Sequence, residues 1–140
     1  MLFRSWLSIA TYATHDHEPI RALWDDAIEH QNSERGQQAR ATLEKIALFA
    51  RLKPKVEQLD YEKDFYPAAM DALFKCNSWI AIVMITDLLA RKYRFNVPGT
   101  NANLNWTRRI QRSIAKLRSS RKESKRMQLI HELLEKTGRV

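Results

Sequence analysis

The chain of 140 residues has one cysteine, three glycines and four prolines. A lone Cys76 cannot close an internal disulfide, which excludes a disulfide framework and fits a reducing cytoplasm. So few glycines and prolines exclude collagen-like and low-complexity chains. They also leave no glycine-rich loop of the kind that cradles phosphates. No apolar run approaches the ~20 residues that cross a bilayer. The opening MLFRSW offers one Arg and too short an apolar stretch for a secretory signal. No repeat and no linker divides the chain. Its length suits one unit that buries roughly two thirds of its unfolded surface.

Acidic charge is also scarce in one region. The net charge is +8, and between Arg91 and Arg126 the single acid is Glu123. That raises a polyanion partner as a reading, with Arg108, Arg109, Arg112 and Lys116 as its contacts and a steep salt dependence as its mark. Aromatics are not interleaved with the basic residues after Trp106, and no zinc-knuckle, RNP-like or KH-like pattern occurs. Nucleic acid is therefore the rival reading: a small basic helical module.

Apolar spacing places the elements. Residues 7–11 read as a short strand, and the continuous run WIAIVMI over 79–85 as a strand buried on both faces, with a buried helix as its alternative. Helices are predicted over 19–30, 37–52, 66–75, 107–118 and 122–136, with Gly138 as the last C-cap. Pro54 is expected to stop the second helix, and 31–36 to form a turn. Thr86 is a candidate N-cap, and 93–106, with Pro98-Gly99, is a loop. Two short strands among helices give an α/β class whose strands lack the neighbours that a sheet needs.

Two clusters could carry chemistry. Thr14-His15-Asp16-His17-Glu18 lies where a strand runs into a helix, the position of active-site loops in parallel α/β proteins. It reads as a hydroxyl-binding, charge-holding site, as a plain polar turn, or as a metal site. The last lacks further ligands, since His30 and His131 are isolated. Asn96 to Thr100, followed by Asn105-Trp106, suits sugar or base recognition through amides and an indole face. Its plainer reading is a type II turn at Pro98-Gly99 with Trp106 anchoring the loop to the core. Ser8, Ser78 and Cys76 show no base partner, and Cys76 reads as a core thiol.

Taken together, the two clusters resemble a known family. ATYATHDHEPIRALW (residues 10–24) is similar to the segment around the third catalytic aspartate of the amylomaltases, the 4-α-glucanotransferase family of glycoside hydrolases. ITDLLARKYRFNVPGTNANLNWTRRI (85–110) resembles that family's closing block, and Thr137-Gly138-Arg139 its terminus. The middle, 33–77, carries little of the resemblance. Where many relatives have Asn or Leu, this chain has His17.

The resemblance implies the C-terminal part of a (β/α)8 barrel, about its last two βα units over 1–140. The helices between the strands would be insertions, and Met1 to Ser5 the start of a partial chain. It implies retaining transfer of α-1,4-glucan segments between maltooligosaccharides, in the cytoplasm, with neither metal nor cofactor. Asp16 would stabilise the transition state, His15 and Asn96 would bind the sugar, and Pro98, Gly99, Asn105 and Trp106 would support the loop. The nucleophile and the acid/base would lie upstream, in a missing N-terminal part of the barrel, leaving this chain inactive alone.

Overall fold

The computed structural model describes residues 7–53, 55–100, 103 and 105–139. Met1 to Ser5, read as the start of a partial chain, and Pro54, read as a helix stop, lie outside the described residues.

Strand β1 (Ile9–Ala10) pairs in parallel with β2 (Ile80–Ala81), Ile9 opposite Ile80 and Ala10 opposite Ala81. The Ser8 hydroxyl donates to Ser78 Oγ at 2.9 Å and ties the two strand entries together. Both strands are shorter than the runs 7–11 and 79–85 predict. Among the described residues each strand has one neighbour, and the second run turns into helix α4 (Ile85–Leu88), so the ladder ends early. Nor is the second strand buried on both faces. Ile9 is 60% exposed and Trp79 69%, with Ile80 and Ile82 also open. Continuous apolarity marks a strand made to be covered. Among the described residues nothing covers it.

The core lies among the helices. Helix α1 (Ile20–Glu29) buries Ile20, Trp24 and Ala27 against α2 (Glu34–Phe49), which buries Ala39, Leu43 and Ile46. The turn between them is shorter than predicted, because Ser33 caps α2: its hydroxyl accepts from the Gly36 N–H at 3.0 Å. Gly36 thus sits inside the first turn of α2. A Cβ there would lie 2.0 Å from the His30 carbonyl oxygen, so only glycine allows this close approach.

Helix α2 ends at Phe49, short of the predicted residue 52. Arg51 takes a left-handed φ of 59°, and the Arg51 and Leu52 N–H groups return to the carbonyls of Leu48 and Ala47. That is a Schellman closure. A 3-10 turn (Val56–Gln58) and a π-helical turn (Tyr61–Phe65) lead into α3 (Tyr66–Lys75), with the Asp60 carboxylate capping the π turn. Trp24, Tyr61, Phe65 and Tyr66 form one aromatic cluster beneath α1.

Helix α5 (Ile114–Ser119) is half the length expected, because the chain stays irregular until Ser113, whose hydroxyl accepts from the Lys116 N–H. Helix α6 (Arg121–Thr137) packs on α3 and closes on Gly138 at φ 67°. Beyond it, the Arg139 guanidinium binds the carbonyls of Phe74, Cys76 and Ser78, fastening the tail to the entry of β2. Helix α3 holds both strand exits: Tyr12 donates to the Ala69 carbonyl at 2.6 Å, and Tyr66 to that of Leu88 at 3.2 Å.

Candidate functional site

Two loops leave the carboxyl ends of the two parallel strands and meet. The first follows β1. Its turn closes when the His17 N–H bonds the Thr14 carbonyl at 3.1 Å. The His17 ring folds back onto the Thr14 hydroxyl, 2.8 Å away, which makes His17 a brace of the turn. Asp16 and His15 remain open to solvent, with His15 Nε2 3.3 Å from Asp16 Oδ1.

The second loop, 93–106, carries Asn96. Gly99 has φ 74° and the Thr100 N–H faces the Val97 carbonyl, the type II turn expected at Pro98-Gly99. Asn105 staples this loop from within. Its Oδ1 accepts from the Val97 N–H at 3.0 Å, and its Nδ2 donates to the Thr100 carbonyl at 3.1 Å.

The loops join at their tips. Asn96 Nδ2 donates to Asp16 Oδ1 at 2.6 Å, across 80 positions of sequence. Arg94 adds a bond to the Asp16 carbonyl and approaches Glu18 at 3.7 Å. Trp106 does not anchor the loop to the core. Its backbone N–H donates to the Phe95 carbonyl, its φ is 64°, and the residue is 64% exposed, with the indole centroid 4.8 Å from that of the His15 ring. His15, Asp16, Asn96 and Trp106 thus form one open cluster. Asn105, Pro98 and Gly99 shape the loop behind it.

The cluster suits a polyhydroxyl ligand. Asp16 Oδ1 is held by Asn96 and His15, while among the described residues no donor reaches Oδ2. A carboxylate oxygen left open beside an amide, an imidazole and an exposed indole can accept a hydroxyl while an apolar ring face rests on the indole. Among the described residues no three His, Cys, Asp or Glu side chains converge as metal ligands would. His30 ends α1, and His131 stands on α6 beside Glu135.

Two residues outside the candidate site residues also matter here. Arg94 hides in a basic run. Asp87 is the acid beside the leucines of the 85–110 segment, where Thr86 is the expected cap. The structure reverses that: Met84 precedes α4 without a side-chain cap, Thr86 is buried within it, and Asp87 caps another helix. Its Oδ1 accepts from the Ile20 N–H at 2.7 Å, at the start of α1. Burial pushes its carboxyl up to about 6, against the lowering effect of that bond.

Part of the basic stretch is answered by acids, one inside it and others from elsewhere. Arg91 and Arg112 reach Glu123, Lys92 reaches Asp25, and Lys122 and Arg126 reach Glu62. Arg108 lies over the Tyr93 ring. Acids from outside the stretch thus meet Lys92, Arg94, Lys122 and Arg126.

A family model described as 4-alpha-glucanotransferase matches residues 5–115, a span that holds both loops of the cluster. No curated protein matches the sequence at a significant level.

Proposed function

For this chain, which belongs to the 4-alpha-glucanotransferase family, we propose the role of the sugar-facing C-terminal part of a (β/α)8 barrel. The barrel would transfer α-1,4-glucan segments between maltooligosaccharides with retention. The observation that carries this reading is the 2.6 Å bond from Asn96 to Asp16. It unites the two loops that follow the parallel strands, the end of such a sheet where barrels build their sites.

Retention requires a carboxylate nucleophile and a carboxylic acid that serves first as acid and then as base. In this proposal both come from a part of the barrel upstream of β1, with β1 and β2 as its seventh and eighth strands. The exposed Ile9, Trp79, Ile80 and Ile82 support that, as an apolar sheet surface awaiting neighbours.

Asp16 takes the third carboxylate's part. Its open Oδ2 accepts a hydroxyl of the sugar at the cleavage point. Its charge favours the oxocarbenium-like state as positive charge grows on the anomeric carbon. His15 donates to the same sugar. Asn96 fixes the carboxylate and offers its remaining amide hydrogen. Trp106 supplies a face for a pyranose ring. Asn105, Pro98 and Gly99 hold the loop in shape. The chemistry needs no metal and no organic cofactor, and Cys76 suits a cytoplasmic setting.

The test is disproportionation of maltotriose. The purified 140-residue chain should release no glucose and form no longer oligosaccharides. Joined to the upstream portion of a 4-α-glucanotransferase, it should do both. Turnover by the chain alone would overturn the division of residues proposed here. A folded but inactive joined protein would overturn the reading itself.

A further inference from the structure

Helix α1 begins four residues after Asp16, and its own sequence gives it no cap. Pro19 stands at the N-cap position and offers no side-chain acceptor, while its carbonyl takes the N–H groups of Ala22 and Leu23. The Ile20 N–H would be an orphan in a buried place, a costly condition for a helix end. The acceptor it finds is Asp87 Oδ1, 67 positions away on α4. The two segments so joined are the roots of the two site loops. Beyond α1's start lies the turn with Asp16. Beyond α4, after a left-handed Ala90 and the return of the Arg91 N–H to the Thr86 carbonyl, lies the loop with Asn96.

Asp87 is 2% exposed, and burial opposes its charge. A buried carboxylate with one backbone partner is a poor device for stability and a good one for geometry. Its negative charge also suits a helix N-terminus.

We propose that Asp87 is a positioning residue for the sugar site: by bonding the Ile20 N–H it locks the roots of the two loops, so that Asn96 meets Asp16 at their tips. The inference rests on the reading of Asp16 as the sugar-facing carboxylate. Asp87 itself touches no substrate. The buried bond at the root and the solvent-facing bond at the tip then hold the loops in register, with Arg94 bridging to the Asp16 carbonyl between them. The root tie sets the direction in which the Asp16 Oδ2 faces.

The test compares Asp87→Ala with Asp87→Asn, which keeps the acceptor, in the 140-residue chain at pH 8. The readouts are the Ile20 backbone amide and the Asn96 side-chain amide, both by nitrogen-edited NMR. Asp87→Ala should move the Ile20 resonance and carry the Asn96 side-chain resonance to the position of a solvated amide. Asp87→Asn should return both toward wild type. An Asn96 resonance unmoved in a folded Ala variant overturns the proposal. So does an Asn96 resonance displaced in Asp87→Asn while Ile20 keeps its bond, a result that stands even if the Ala variant fails to fold.

In the protein joined to its upstream barrel, Asp87→Ala should lower kcat by about 10²-fold, the usual effect of a displaced catalytic group. KM should change little, and Asp87→Asn should recover most of the rate. If the wild-type joined protein is itself inactive, the glucan reading fails, while the NMR comparison still decides the tie between the loops.

Discussion

Replacing Asp87 with Asn should make the chain more stable, and only at neutral to alkaline pH. The carboxyl has an ordinary value of 3.8 and is pushed up to about 6 in the folded protein. Two units at ~1.4 kcal/mol each correspond to about 3 kcal/mol of opposition to folding once the group is ionised. The sign follows from proton binding. Between pH 4 and pH 6, roughly, the folded chain holds a proton that the unfolded chain has released, so Asp87's contribution to stability falls as pH rises through that window. Asn is neutral throughout and caps a helix about as well as Asp.

The variant should therefore exceed wild type by up to about 3 kcal/mol at pH 8 and match it near pH 4. Urea unfolding followed by circular dichroism at the two pH values measures the difference. Other groups shift the absolute values. Glu123, for example, is held below the usual glutamate range by the Ser120 hydroxyl, against burial and with help from Arg112 and Arg91. Its contribution is lost as pH falls, but equally in both proteins. Equal stability at pH 8, or a difference that ignores pH, would refute the reasoning.

Two further substitutions probe the helical core. Gly36→Ala should cost about 3 kcal/mol in the same unfolding assay, because the added Cβ meets the His30 carbonyl, which is backbone and cannot step aside. Leu43→Ala, at a side chain with no exposed surface, should cost between about 2 and 5 kcal/mol and leave the Asn96 side-chain resonance unmoved.

Much of the helical frame was legible because local signals agreed with the packing. Pro19, the 3.6-residue spacing of Ile20, Leu23, Trp24 and Ala27, and Gly138 placed the first and last helices within a residue or two. The third helix has its predicted bounds, Tyr66–Lys75, and the π turn ahead of it has no counterpart in the sequence pattern. Strand lengths failed for a different reason. Apolarity over 79–85 records what the segment is suited to touch, and strand pairing depends on neighbours that no local pattern supplies. The same holds for the fifth helix, where basic residues over 107–113 have good helix propensity but no cap until Ser113.

At the site, residue types and motif order led to Asp16, His15 and Asn96. The bond from Asn96 to Asp16 is not readable there, since it joins positions 80 apart. Of the two readings of Trp106, the core anchor fails, because a left-handed backbone turns the indole outward beside His15. Asp87 was invisible as a cap because the helix it serves lies 67 residues earlier.

The most direct test of the central claim is the rate of maltotriose disproportionation by the chain joined to its upstream barrel, with Asp16 and with Asp16→Asn. The exchange keeps the volume and the contacts with Asn96 and His15 nearly intact, and removes the charge. The account predicts a fall in kcat of about 10²-fold or more with a folded, sugar-binding protein, as for loss of a charge placed at the reacting centre. An Asp16→Asn protein that transfers glucan at the wild-type rate would contradict it.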